Sequence, residues 1–203
     1  MVPSCLFLLT DDPLTAVSLG PVLGRHNPNC RVIPVGTAAE IETELGFSNS
    51  MRLVAFCSSS IVPAHLLERF RLGSFNFHPG PPNYPGRYPS CWGSYDGVRR
   101  FGVTLHRMVA RVDEGPIVAV RWFKVRPPVT RTELSDRSFA AAVELFTSYS
   151  ERLATAPDLP ADPRLAWSGR KTRLADYEAM RVISPDLPAA ERERRRRAFT
   201  DGV

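Results

Sequence analysis

Residues 74–86 read SFNFHPGPPNYPG, and this stretch sets the layout of the predicted fold. Its first four residues predict a short strand that ends at His78. The loop that follows contains four prolines and two glycines, which make it stiff and exclude a continuing strand. Because residues i and i+2 of a strand point to the same face, Asn76 and His78 present an amide and an imidazole side by side.

Upstream of this strand, short apolar runs rich in β-branched residues alternate with helical segments. This alternation predicts an α/β fold with a doubly wound, mostly parallel sheet and helices on both faces. Ligands of such sheets bind outside the carboxyl ends of the strands, so His78 lies where an active-site residue is expected. The predicted strands before it are 5–10, 30–35 and 52–57, and the predicted helices are 14–25, 37–46 and 62–70. Thr37 and Glu40 have the spacing of a capping box at the start of the second helix.

Downstream, the sequence predicts an antiparallel hairpin at one edge of the sheet. Residues 101–110 and 115–125 form its strands, and the turn between them contains Asp113. Residues 132–154 predict a long helix whose apolar stripe, including Phe139, Phe146 and Leu153, covers one face. We therefore divide the chain into a catalytic domain, 1–155, and a C-terminal extension, 156–203, which is irregular at first and then helical and Arg-rich.

Composition narrows the class of protein. The chain has 203 residues and a net charge of +5, to which five arginines between 192 and 197 contribute. Such a run is typical of a solvated helix face. No window approaches 18 consecutive apolar residues, so no membrane span is expected, and the first residues predict a strand rather than a signal peptide. We predict a cytoplasmic protein. Its four scattered cysteines lack C-x-x-C spacing, and no metal site is predicted.

Asn76, His78 and Asp113 are the candidate catalytic residues. Asp113 can reach the end of the fourth strand if the hairpin pairs with that strand. The three side chains then supply an oxyanion donor, a group that titrates near neutrality, and a carboxylate that sets the charge and orientation of the imidazole. This set suits acyl transfer through a tetrahedral intermediate without a nucleophilic serine or cysteine. For His106, a structural role is favoured over a place at the edge of the site.

Three motifs resemble those of the folate-dependent formyltransferases. FNFHPG with YPG downstream resembles the family's N-x-H loop, FGVTLHRM resembles its G-x-T/S-x-H strand, and VDEGPIVAV resembles its D-x-G-x-I hairpin. The resemblance is close over residues 50–125 and extends to 1–49 only in layout. The family includes glycinamide ribonucleotide formyltransferase, the catalytic domain of methionyl-tRNA formyltransferase, sugar N-formyltransferases and formyltetrahydrofolate hydrolase. The expected fold is thus the Rossmann-like formyltransferase fold.

By resemblance, the formyl donor is N10-formyltetrahydrofolate and no metal takes part. Asn76 and His78 stabilise the developing oxyanion, and His78 protonates the departing folate nitrogen. Asp113 keeps His78 charged and accepts the amine proton. The resemblance also implies that the pterin binds against two loops, formed by Ser59, Ser60 and Ile61 and by Ala110, Arg111 and Val112.

The resemblance implies a small-molecule amine as acceptor but leaves its identity open. An amino-sugar nucleotide, an amine or hydroxylamine of a secondary metabolite, and glycinamide ribonucleotide are all compatible with the sequence. Residues 80–83, GPPN, replace the S-L-L-P of many family members, which leaves the acceptor side unassigned. Two alternatives are a hydrolase that passes the formyl group to water and a non-catalytic protein that binds nucleic acid through its basic tail. The intact trio argues against the latter, so no nucleic-acid partner is expected, and a homodimer is left open.

Overall fold

The computed structural model describes residues 1–46 and 50–200. In this part of the chain, strands and helices alternate up to the fourth strand, a hairpin follows, and the remaining elements are helices. Within the same residues, no helix combines the length and apolar character that a membrane crossing requires. The strands are β1 (Cys5–Leu9), β2 (Arg31–Val35), β3 (Met51–Phe56), β4 (Ser74–His78), β5 (Arg100–Arg107) and β6 (Ile117–Lys124). The helices are α1 (Pro13–Gly24), α2 (Ala38–Glu44), α3 (Ala64–Leu67), α4 (Pro89–Asp96), α5 (Arg131–Thr155), α6 (Leu174–Arg181) and α7 (Ala189–Phe199).

The strands form one sheet in the order β2-β1-β3-β4-β5-β6. The first four run parallel, whereas β5 pairs antiparallel with both β4 and β6. This confirms the predicted α/β fold with its antiparallel edge hairpin. The carboxyl ends of β3 and β4 lie side by side. Because β5 runs antiparallel to β4, with Arg107 opposite Phe75, the β5–β6 turn starts beside the amino end of β4 and folds back to bring Asp113 to His78.

The helix starts follow local chemistry. Thr37 Oγ1 accepts a hydrogen bond from the Glu40 backbone N–H, as the predicted capping box requires. Asp12 caps α1 by accepting from Leu14 N and Thr15 N. These caps fix where the chain turns from a strand into a helix on the side of the sheet where the strands end.

The sheet has an apolar core on each face, and α1 and α5 cover one of them. Phe146 and Leu153 of α5 are fully buried there, as predicted, but Phe139 is 44% exposed, so the predicted stripe was wrong at its start. The small residues Ser138, Ala141 and Ala142 face the sheet instead. They allow the helix backbone to lie close to the strands, which a stripe of aromatic residues would prevent.

A buried arginine ties α5 to the amino ends of β3 and β4. Arg52 is 0% exposed, and within the described part of the chain its guanidinium donates hydrogen bonds only to backbone carbonyls. These include carbonyls of the last turn of α5, where the helix dipole favours a cation. Burial lowers the pKa of Arg52 to about 10, which leaves it charged at neutral pH. The acceptors are Leu72 O, Arg152 O, Leu153 O, Ala156 O and Pro157 O.

The arginine run of α7 is not simply a solvated face, which corrects the expectation from sequence. Arg194 donates to Tyr95 O and Arg197 donates to Ser94 O, both in the last turn of α4. Phe199 is fully buried and packs edge-on against Trp92 at 4.9 Å between ring centroids. Since cations stabilise a helix C-terminus, these arginines dock α7 onto α4.

Candidate active site

Strand register brings the first functional side chains together. In the β4–β5 ladder, Asn76 lies opposite His106 and His78 lies opposite Thr104. Asn76 Nδ2 is 3.2 Å from His106 Nε2, while His106 Nδ1 is 3.0 Å from the carbonyl of Arg107. Because a carbonyl can only accept, the proton of neutral His106 lies on Nδ1, and Nε2 accepts from Asn76. His106 is 2% exposed and hydrogen-bonded at both ring nitrogens, and it lies within the site beside Asn76.

The proline-rich loop holds His78 in place. His78 Nε2 donates to the carbonyl of Tyr84 at 2.9 Å, so neutral His78 carries its proton on Nε2. Thr104 Oγ1 donates to Gly80 O at 2.8 Å and fixes the loop to β5. A Cβ atom at Gly80 would lie 2.7 Å from His78 Nε2, so only glycine leaves this imidazole its position.

Asp113 completes the cluster from the β5–β6 turn. It is 4% exposed, and its backbone adopts the left-handed conformation with φ of 50°, which Asp tolerates better than most residues. Asp113 Oδ2 is 3.5 Å from His78 Nδ1 and Oδ1 is 3.4 Å from His106 Nε2. The Gly86 N–H donates to Oδ2 at 2.8 Å, which links the end of the proline-rich loop to the same carboxylate.

Burial and charge set the protonation states of this cluster. Burial lowers the pKa of His78 below 6.5, and the attraction of Asp113 opposes this only in part. Burial alone would raise the pKa of Asp113, but attraction to the protonated form of His78 and the hydrogen bond from the Gly86 N–H hold that pKa well below its usual range. At neutral pH the cluster therefore contains a carboxylate and a neutral His78. This differs from the expectation that Asp113 keeps His78 charged.

Two atoms of the cluster are left ready for a ligand. Asn76 Oδ1 is buried and has no hydrogen-bond partner among the described residues. Asn76 Nδ2 carries two hydrogens, of which His106 takes one. Since an unmet buried polar group costs free energy, such a group in a native site is expected where a substrate supplies the missing partner.

Asn76, His78, His106 and Asp113 all line one cavity of about 650 Å³. Of the residues predicted to hold the pterin, Ser59, Ser60, Ile61 and Val112 line this cavity as well. Ala110 and Arg111 do not line it, because they lie on the exposed outside of the turn; Met108 and Val109 take their place. The structure therefore brings together the trio and four of the six predicted donor-site residues.

The C-terminal extension also contributes to the site, which the sequence did not predict. Thr172 forms an isolated parallel bridge with Gly86, and Lys171, Thr172 and Arg173 line the cavity. The Trp167 ring lies edge-on to both His78 and His106. The signal available in the sequence was the segment AWSGRKTRL (166–174), which resembles a segment that follows the catalytic domain in sugar N-formyltransferases.

A mixed α/β sheet with an amide, imidazoles and a carboxylate gathered at its carboxyl edge defines an enzyme equipped for acyl transfer. Residues 38–149 match the protein family described as Formyl transferase. This match covers more than half of the 203-residue chain, and the chain belongs to the formyl transferase family. The family predicted from the three motifs is confirmed, and the protein is an enzyme of that family.

Solved structures share this fold. A 4-N formyltransferase from Francisella tularensis is 18% identical with a TM-score of 0.76, covering 97% of this chain and 88% of that one. The formyltransferase PseJ from Anoxybacillus kamchatkensis, solved with UDP-4,6-dideoxy-4-formamido-L-AltNAc and tetrahydrofolate, is 19% identical with a TM-score of 0.71, covering 94% and 96%. An N-formyltransferase from Helicobacter canadensis, in complex with folinic acid and dTDP-3-aminofucose, is 19% identical with a TM-score of 0.69, covering 97% and 80%.

Proposed function

We propose that the protein transfers the formyl group of N10-formyltetrahydrofolate to the amine of a nucleotide-linked amino sugar. The observation that carries this proposal is the convergence of Asn76, His78 and Asp113 on one cavity of about 650 Å³. Small-molecule sites have volumes of about 300–1,000 Å³. The cavity is therefore large enough for a carrier and an acceptor whose reacting ends meet at the trio.

The donor end is the part of the cavity lined by Ser59, Ser60, Ile61 and Val112. The first two carry hydroxyl groups, whereas Ile61 and Val112 are 60% and 41% exposed. Exposed apolar side chains beside hydroxyl groups suit a flat heterocycle with a polar edge, such as a pterin. Folate derivatives in the PseJ and Helicobacter canadensis complexes support this choice of donor.

The acceptor end is suited to an anionic substrate. Arg131 and Arg173 line the cavity, together with Lys171, which is paired with Glu114 at 3.0 Å. Guanidinium and ammonium groups are the side chains that recognise phosphates, so a nucleoside diphosphate fits this composition better than a neutral amine does. The nucleotide sugars in the same two related structures support this class of acceptor.

In the proposed reaction, the amine nitrogen attacks the formyl carbon and a new C–N bond forms. The formyl oxygen takes up negative charge, and the second Nδ2–H of Asn76 is available to donate to it. Asp113 accepts the proton that the amine loses. As the bond from carbon to the folate nitrogen breaks, that nitrogen receives the same proton, which Asp113 passes on through His78 Nδ1, 3.5 Å away, while the Nε2–H of His78 stays bonded to Tyr84 O.

This route explains why a neutral His78 is compatible with catalysis. Neutral His78 has its proton on Nε2 and a bare Nδ1 that faces the carboxylate. Nδ1 can thus take up the proton from Asp113 and pass it on, while Nε2–H keeps its hydrogen bond to Tyr84 O. The proton taken from the amine is returned to the folate nitrogen, so the total charge of the cluster and its bound substrates is constant and no additional charge has to be buried during the reaction.

The test is a tetrahydrofolate-release assay with N10-formyltetrahydrofolate and a panel of amines. The panel contains nucleotide-linked amino sugars, the corresponding free amino sugars, glycinamide ribonucleotide and a buffer control without amine. We expect tetrahydrofolate release only with the nucleotide-linked amino sugars, together with a product heavier by one formyl group. Equal release of formate without amine would instead identify a hydrolase, and no turnover with any amine would refute the proposal.

A further inference from the structure

We propose that Trp167 is a positioning residue for formyl transfer, which holds the His78 and His106 imidazoles and the Asp113 turn in one fixed arrangement. This inference rests on the proposed function. Trp167 lies outside the matched family region, 38–149, in a segment that the sequence marks as irregular. It would make the C-terminal extension a working part of the active site, although the proposed domain boundary falls after residue 155.

The first observation is the contact with both imidazoles. The indole ring lies 5.6 Å from the His78 ring and 5.0 Å from the His106 ring between centroids. The interplanar angles are 74° and 84°, so both pairs have edge-to-face geometry. Edge-to-face pairs are directional, and one indole that contacts two rings restricts the rotation of both.

The second observation is that the same indole is itself fixed. Trp167 Nε1 donates to Gly115 O at 2.7 Å, and Gly115 is two residues beyond Asp113 in the same turn. A Cβ atom at Gly115 would lie 1.8 Å from Arg107 O, so this turn packs tightly against β5. Through one ring and one hydrogen bond, Trp167 therefore connects the catalytic imidazoles with the turn that carries the carboxylate.

The third observation is a second cavity behind Asp113. It has a volume of about 190 Å³, and Trp167, Asp113, Glu114 and Lys171 are among its lining residues. Asp113 thus borders the main cavity on one side and this smaller one on the other. Without the indole, this smaller cavity would open onto the His78 and His106 rings and admit water to them. We therefore assign Trp167 the further task of keeping water from the rear of the cluster.

Few ionisable groups face His78, His106 and the smaller cavity among the described residues. His78 faces Asp113 and His106 from the hairpin, and the Tyr84 carbonyl from its own loop. The smaller cavity adds the ion pair of Glu114 and Lys171, at 3.0 Å. Because this pair is outwardly exposed and formed at neutral pH, a change in pH profile after substitution of Trp167 is attributable to the buried cluster.

The experiment compares Trp167→Ala and Trp167→Phe with Trp122→Ala, a matched control. Trp122 is 37% exposed on β6, where it stacks under Arg100, away from the cavity. We expect kcat of Trp167→Ala to fall about 10²-fold, the cost of small misplacements of catalytic groups, with little change in KM for the amine. Trp167→Phe keeps a ring against the imidazoles and loses one hydrogen bond, so its loss should be about tenfold or less. Trp122→Ala should retain the wild-type kcat.

Two readouts separate positioning from a merely structural role. In the pH dependence of kcat/KM, the ionisation of His78 should move towards its ordinary value in Trp167→Ala, because water reaches the ring. Imidazole ¹⁵N spectra of the same variants should show His78 leaving the Nε2–H form that donates to Tyr84 O. Unchanged pH profiles and ¹⁵N spectra in a folded Trp167→Ala or Trp167→Phe variant would overturn the inference.

The ¹⁵N spectra need no substrate, so the two proposals can fail separately. If the wild-type protein formylates no amine while the imidazole signals still change in Trp167→Ala, the proposed function fails and the clamping of the imidazoles by Trp167 stands. If the wild type is active and the Trp167 variants match it in kcat and spectra, only the inference about Trp167 fails. Far-UV circular dichroism of each variant establishes that it is folded.

Discussion

A polar cluster is buried at the amino ends of the parallel strands and another at their carboxyl ends. The two clusters differ in how many of their hydrogen-bonding groups have a partner. At the amino end of β3, all five N–H groups of Arg52 meet backbone carbonyls. At the carboxyl end of β4, Asn76 Oδ1 has no partner within the described residues, and the bare Nδ1 of His78 faces a carboxylate. The first edge is built for stability, whereas the second leaves groups unmet that a substrate can satisfy.

The largest expected effect is on activity, from Asp113→Asn. Asparagine tolerates the left-handed backbone at this position and keeps an acceptor for the Gly86 N–H, so the fold should be retained. It cannot accept the amine proton. We expect kcat to fall about 10³-fold, as for removal of one transition-state group. The measurement is the tetrahydrofolate-release assay.

Asp186→Asn serves as the control for this loss, because Asp186 is exposed and contacts only Ser184 among the described residues. Its kcat should equal that of the wild type. Comparable activity of Asp113→Asn and Asp186→Asn would show that the reaction does not take place at the Asp113 cluster.

The next effect is on stability, from Arg52→Met. The substitution keeps the volume but removes the Arg52 donors from the carbonyls of Leu72, Leu153, Ala156 and Pro157, so the free energy of unfolding should fall by about 3–5 kcal/mol. Arg52→Lys supplies three N–H groups instead of five, so its free energy of unfolding should lie between those of Arg52→Met and the wild type. Urea unfolding measures all three, and kcat per folded molecule should stay unchanged.

Arg31→Met is the control for this prediction, since the Arg31 side chain is 74% exposed and, among the described residues, pairs only with Glu44, at 3.7 Å. Its unfolding free energy should change by less than about 1 kcal/mol. If Arg52→Met lowered the free energy of unfolding no more than this control does, Arg52 would not be the residue that holds α5 to the amino ends of β3 and β4.

The smallest effect is the pH dependence of stability. His78 is buried with a pKa below its unfolded value of 6.5, so the unfolded chain binds more protons between the two pKa values. The stability that neutral His78 contributes is present above pH 6.5 and is lost as pH falls through the folded pKa. Asp113 acts in the same direction below pH 3.8. Each unit by which a pKa is lowered corresponds to about 1.4 kcal/mol.

This pH dependence of the free energy of unfolding can be measured by urea titrations at several pH values between 7 and 5. We expect the wild type to lose stability across this range and His78→Gln to lose less. Parallel decreases in the two proteins would assign the pH dependence to groups other than His78.

Much of the fold could be read from the chain because its signals are local. Alternating apolar runs gave the four parallel strands, and the spacing of Thr37 and Glu40 gave a helix start that the structure reproduces. The buried stripe of α5 was misjudged at Phe139, because only packing against the strands decides which face of a long helix turns inward. The arginines of α7 were misjudged for the same reason, since their acceptors lie in a distant helix.

The sequence by itself determined the family, the sheet and the trio of Asn76, His78 and Asp113, because these depend on strand spacing and on short motifs. Only the tertiary structure decided that His106 joins them and that Trp167 lies against both imidazoles. It also decided that His78 is neutral, since burial outweighs the attraction of the carboxylate. Periodicity records which way a side chain points along its own element. Contacts between residues 78, 106 and 167 depend on how separate segments pack, and no local pattern encodes that.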